Sequence, residues 1–316
     1  MWTIIEQIFP YAIVFTIPLL ITALGGLFSE RSGVVNIALE GLMVFGAFAS
    51  ALTVYYLNGT MNHTAVLWIG LLAAVVLGML VSLLHAFASI NLNANQIISG
   101  TAINLIATAL TIFLARNITG SGNIRVTTGF APKNVPGLSD IPIIGDLFFT
   151  KTYSTTWFIL VVLVISWFVL YKTKFGLRLR SCGEYPQAAE AAGVNVRRVR
   201  YSGVLISGAF GGLGGALITL TYAGEFTGTV SGLGFLALAA LIFGQWRPFG
   251  VLAAAFFFGF ASTIANVSQV IPELSVIPPI LLKIFPYVVT LIALVLFSKT
   301  SQAPKAAGEP FDSGKR

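Results

Sequence analysis

Charge is what this sequence has least of. Only 9% of its 316 residues are Asp, Glu, Lys or Arg, against 56% hydrophobic. A soluble domain of this length could not stay dispersed with so little surface charge. Cysteine is nearly absent: Cys182 stands alone, which excludes a disulfide framework and a Cys-based metal site. There are two histidines, His63 and His85, far apart in the chain. No H-E-x-x-H, G-x-S-x-G, Walker A or Asp-rich metal motif occurs, so neither catalysis nor ATP hydrolysis is expected of this chain. Basic residues are missing before Arg31, so the first apolar run reads as a retained span rather than a cleaved signal. Ten-residue alternating segments are also missing, which argues against a membrane β-barrel.

What remains is a chain built for lipid. Apolar runs cover 9–28, 34–57, 65–90, 96–115, 154–171, 201–222, 233–246, 249–271 and 279–298. About 20 apolar residues cross a bilayer as a helix. The reading is an all-α polytopic membrane protein with 8–9 transmembrane helices, nine being favoured, in one transmembrane domain over 1–300. The run at 233–246 is short and is expected to be a half-span or a re-entrant segment. Two long polar interruptions, 116–152 and 172–200, divide the runs. The tail over 301–316 is polar and is expected to be disordered.

Lys and Arg distribution sets orientation. Seven of the eighteen basic residues lie in 172–200, which places that loop in the cytoplasm. Alternation then puts the C-terminal tail inside the cell and both the N-terminus and the 116–152 loop outside. The net charge of +7 collects at span ends, so it reports topology in a cell membrane and not nucleic-acid binding.

Four stretches could carry function. In the first, SERSGVVNIALEG, Asn36 and Glu40 lie four apart and share a helix face just inside the membrane, where an ionisable residue is costly. They either line a solute path or pair with a neighbouring charge or backbone amide for structure. In the second, NLNANQIISGTAIN, the amides of Asn95, Gln96 and Asn104 suit hydrogen bonding to a polar solute, and equally the stitching of helices. The third, SGAFGGLGGA, carries overlapping G-x-x-x-G patterns at Gly208/Gly212 and Gly211/Gly215, a helix-packing signal. The fourth, YAGEFTGTVSGLG, holds Glu225 beside Gly, Thr and Ser, as a gate, a contact for another protein, or a solvated loop carboxylate.

Inside 172–200 sits a short helix signal. Pro186 suits the first turn and Gly193 the residue past the end, with mostly alanine between them. A small-surfaced helix flanked by basic clusters is a candidate dock for a partner that supplies energy.

Two blocks resemble a known family. GLRLRSCGEYPQAAEAAGVNVRRVRYSGVLISGAFGGLGGAL at 176–217 is similar to the coupling segment and following span of permease subunits of bacterial ABC importers. The branch in question serves branched-chain amino acids, ribose-like sugars and nucleosides. GLFSERSGVVNIALEGLMVFGAF at 26–48 looks like the nucleoside branch, and the Asp-Leu-Ser pattern of ribose-type permeases is missing. The resemblance implies a permease for nucleosides, with simple sugars or branched-chain amino acids as alternatives, and an ion-coupled secondary transporter or channel as a more distant one. It implies three partners: an ABC ATPase that binds ATP and Mg, a second permease subunit more readily different than identical, and an extracytoplasmic substrate-binding lipoprotein. Carried onto this chain, Glu184, Ala188, Ala189, Ala192 and Gly193 join Pro186 in the ATPase-coupling helix and its turn.

Overall fold

The computed structural model describes residues 2–267, 278, 280–282, 284, 285, 288, 292 and 302–312. Among the described residues ten α-helices follow in chain order: α1 Trp2–Arg31, α2 Leu39–Leu57, α3 His63–Ala86, α4 Gln96–Thr119, α5 Ser154–Lys172, α6 Lys174–Glu184, α7 Pro186–Ala191, α8 Val196–Ile218, α9 Leu233–Phe243 and α10 Pro248–Val267. Single π-helical turns extend α3 (Phe87–Asn91) and α8 (Thr219–Ala223). The only strands among the described residues are β1 Ile124–Arg125 and β2 Glu225–Phe226, paired antiparallel. Among the described residues seven helices are long and apolar enough to cross a membrane. The last predicted run, 279–298, lies largely outside the described residues.

Burial separates centre from periphery. In α1, 89% of the most apolar window is enclosed by protein, and in α8 83%, whereas α4 and α5 enclose 22% and 33%. The helices enclosed by protein carry small residues, because lipid offers no hydrophobic drive for helices to associate and close backbone approach must supply the attraction. A Cβ on Gly212 would collide with the backbone of Ala74 in α3, on Gly215 with Met43 in α2, and on Gly208 with Ser82 in α3. Gly211 meets Leu42, and Gly46 meets Gly212. Thus α8 is wedged between α2 and α3 along the stripe of Gly208, Gly211, Gly212 and Gly215.

Two breaks in regular structure organise the interior. After α1 the chain passes through the irregular segment 32–38 before α2 begins. Ser207 and Asn104, which touch that segment, lie eleven and eight residues into α8 and α4, or about 16 and 12 Å at 1.5 Å per residue. The far end of the segment, at Asn36 and Ile37, therefore packs among the apolar helices and not at their ends.

The second break is at α9, whose 11 residues span about 16 Å, half that core. Its C-terminal end meets Arg31, which donates from Nε and Nη2 to the Trp246 carbonyl at 3.2 and 2.9 Å. Its N-terminal end meets Glu40. The preceding residues, 227–232, descend irregularly from the β1–β2 ribbon. The 233–246 run thus holds a helix half the length of a span, entered through irregular backbone.

Two regions differ from the sequence reading. The polar 172–200 stretch holds two helices, not one. In α6 the residues Gly176, Leu179, Cys182 and Gly183 are buried, an i, i+3 pattern hidden in sequence by the intervening Arg178 and Arg180. The tail, expected to be disordered over 301–316, is packed on the protein across 302–312, with Ala306 and Phe311 each 5% exposed. Apolar anchors among its polar residues supply the burial that a uniformly polar tail would lack.

Candidate functional site

The α6–α7 face comes first. Pro186 occupies the first turn of α7, and Gly193 turns the chain away at φ +82°. There Gly193 N–H donates to Glu190 O and Val194 N–H to Ala189 O, closing the helix C-terminus. Ala189 packs inward against Cys182, Val196 and Phe311, while Ala188 and Ala192 face an open groove of about 510 Å³ with Leu177 and Val194. Burial holds the Cys182 thiol up at about 11, so it stays protonated. Glu184, at the end of α6, faces Arg31 at 3.6 Å. Through that guanidinium the face is joined to Trp246, whose indole Nε1–H donates to the buried Glu30 carboxylate.

Around the 32–41 segment lies a polar knot. Asn36 is fully buried; its Nδ2 donates to Ser207 Oγ at 2.8 Å and its Oδ1 accepts from Ala38 N–H. Asn104 accepts from Gly41 N–H at 2.7 Å and donates to Ile37 O at 3.0 Å. Gln96 Oε1 accepts from Val35 N–H, and His85 Nε2 lies 3.0 Å from Val35 O. Irregular backbone at membrane depth is tolerated only when protein satisfies its amides and carbonyls, which is what these side chains do. Glu40 belongs to the same knot: its two oxygens accept from Gly232 N–H at 2.9 Å and Gly234 N–H at 2.7 Å, capping α9. Asn95 is apart from it, exposed, capping α4 through Ile97 and Ile98 N–H.

Beyond the α9 N-terminus opens a cavity of about 520 Å³. Phe15 of α1, Thr219 and Tyr222 of the π turn, Glu225 of β2, Ser231, and Asn266 of α10 line it. The rings of Phe15 and Tyr222 meet at 4.6 Å between centroids. Its walls offer aromatic surface with a few hydroxyl, amide and carboxylate groups, the mix expected of a small-molecule site. None of Asn36, Asn95, Gln96 and Asn104 lines this cavity; Glu40 reaches it only by holding Gly232 and Gly234, which flank the wall residues Ser231 and Leu233. Phe15 and Asn266 carried no signal in the sequence, because a lone Phe or Asn in an apolar run looks like packing. Glu225 and Tyr222 did lie in a flagged Gly/Thr/Ser stretch.

Comparison with known proteins identifies the family. The family described as branched-chain amino acid transport system / permease component matches residues 8–294. The chain is 47% identical to the guanosine ABC transporter permease protein NupQ of Bacillus subtilis, covering 99% of this chain and 98% of that one. It is 44% identical to the nucleoside ABC transporter permease protein NupC of Lactococcus lactis, covering 96% of each. Among solved structures, an inward-facing putative metal-chelate type ABC transporter shares the fold at a TM-score of 0.51 and 17% identity, over 92% of this chain and 85% of that one. On the match across nearly all of its length, the chain belongs to the family of branched-chain amino acid transport system permease components.

Proposed function

We propose that this chain is the membrane permease subunit of an ATP-driven importer of nucleosides. The observation that carries the mechanism is one continuous run of contacts from α7 to the cavity. Glu184 beside α7 holds Arg31, Arg31 holds the C-terminal end of α9, and Glu40 holds its N-terminal end at the cavity wall. As a short, fully hydrogen-bonded helix, α9 acts as a rod. Displacement of α7 by a closing ATPase dimer is carried along it and reshapes the cavity wall, so access alternates. Glu184, Pro186, Ala188, Ala189, Ala192 and Gly193 form the docking helix; ATP and Mg stay on the partner. The seven basic residues of 172–200 put that face in the cytoplasm.

The solute class rests on the two full-length relatives named for guanosine and nucleosides. The cavity suits it: aromatic faces for a base, and Thr219, Glu225, Ser231 and Asn266 for its edges and a ribose. Asn36, Gln96 and Asn104 support this pathway from behind by fixing the 32–41 segment. The complete importer adds a second, non-identical permease and a solute-delivering lipoprotein at the cavity side.

The test is reconstitution. Proteoliposomes holding the chain with its ATPase, second permease and binding protein should accumulate radiolabelled guanosine only with ATP inside the ATPase compartment. Accumulation by this chain alone, driven by a proton or sodium gradient, would sink the proposal in favour of a secondary transporter.

A further inference from the structure

The segment 302–312 makes contacts out of proportion to its length. Gln302 N–H donates to Gln245 Oε1 and Arg247 Nε donates to Gln302 Oε1, both at 3.0 Å, fastening it to the α9–α10 turn. Lys305 Nζ donates to Tyr185 Oη at 2.8 Å and sits 5.1 Å over that ring, between α6 and α7. Ala306 N–H donates to Gly183 O at 2.9 Å, and Gly308 N–H to Gly33 O at 3.2 Å. The Glu309 carbonyl accepts from Arg200 Nη1 at 2.9 Å, and Phe311 is buried with Cys182, Ala189 and Val196. One short strand of chain thus touches the α9–α10 turn, both helices of the docking face, the 32–38 segment and the start of α8.

Arg200 shows that the arrangement is specific. Its side chain is 1% exposed, and Nε and Nη2 have no hydrogen-bond partner among the described residues. It lies against Gly33, whose φ of +97° and packing onto the guanidinium leave no space for a Cβ. The Phe311 ring lies 5.8 Å from the guanidinium, within cation–π reach. Burying a charge this way is expensive unless something is gained by it. What the arrangement achieves is a fixed geometry among Gly33, α8 and the tail.

We infer that residues 302–312 are a coupling strap that positions α6–α7 against the 32–38 segment, so that docking-face motion reaches the polar knot by a second route beside α9. Lys305, Ala306, Gly308 and Phe311 are positioning residues in this device; none touches solute. The inference rests on the importer reading above. In it the strap stays docked throughout the cycle, because a strap that let go would transmit nothing.

Cys182, the chain's single cysteine, reports docking directly because Phe311 covers it. In the full complex, Phe311→Ala and a version ending at Ser301 should assemble with the ATPase and hydrolyse ATP. Guanosine moved per ATP should fall at least five-fold, and Cys182 should react with a maleimide at least ten-fold faster. Wild-type Cys182 should react equally slowly at rest and when trapped with ATP and vanadate. Unchanged guanosine per ATP in both variants overturns the inference. So does Cys182 reactivity that rises in the trapped wild-type complex, which describes a latch that releases. If the shortened version fails to assemble, Phe311→Ala and Lys305→Ala decide the matter. If the wild-type complex moves no guanosine, the importer reading fails; amide exchange at Val34 and Val35 with and without Phe311 then decides whether the strap holds that segment.

Discussion

Removing one carboxylate oxygen from the interior tests the rod most directly. Glu40→Gln keeps size and one acceptor but turns an amide NH₂ toward either Gly232 or Gly234, whose N–H groups now lie 2.9 and 2.7 Å from the carboxylate. The loss is one hydrogen bond to a charged group, about 1.5–3 kcal/mol. To this is added the favourable placement of negative charge at a helix N-terminus, about 0.3–1 kcal/mol. The sum, about 2–4 kcal/mol, falls on the first turn of an 11-residue helix with no other side-chain cap. Since each 1.4 kcal/mol is tenfold, local opening of that turn should rise at least about 30-fold. Amide exchange of Gly232 and Gly234 reads that opening, and ATP-dependent uptake of guanosine should fall with it. The protein should still insert, because the helices that build the core are untouched. Wild-type exchange at both glycines together with wild-type uptake would refute the claim that Glu40 fixes the cavity wall.

Other substitutions address other links. Gly193→Val places a β-branched residue at φ +82°, a cost of about 1–2 kcal/mol or more, and should abolish uptake with membrane insertion intact on fractionation. Ala188→Trp fills the docking groove and should break co-purification with the ATPase while leaving the isolated permease folded. Gly212→Leu forces a side chain into the Ala74 backbone; like other overpacking changes it should cost about 1–3 kcal/mol or more, seen as aggregation on size exclusion in detergent. Arg31→Ala removes the tie between Glu184 and Trp246 and should lower guanosine moved per ATP more than ATP hydrolysis, measured side by side.

Much of this was legible in the residue order. Lipid demands that a spanning segment satisfy its own backbone, so long apolar runs could only be helices, and the runs from 9–28 to 249–271 are helical along most of their lengths. The Pro186–Gly193 signal gave α7 because proline at the start and glycine past the end act locally. Other features were hidden. The α6 core positions are interleaved with basic residues whose charge masks the period. The anchors at Ala306 and Phe311 look incidental in a polar tail. The cavity draws Phe15, the Tyr222–Glu225 stretch and Asn266 from three separate segments, which no spacing rule connects.

Glu40 marks the boundary between the two kinds of knowledge. By itself the sequence determined that a carboxylate lies within a span, where it is costly, and left open whether it lines a path or takes a partner. Which partner was decided by tertiary structure: two backbone amides 192 and 194 residues away, at the start of a half-length helix. Span identity follows from local chemistry, because hydropathy and propensity act over a few turns. Partnership across the bundle depends on how glycine stripes let α2, α3 and α8 approach. That approach brings the break before α2 level with the break before α9.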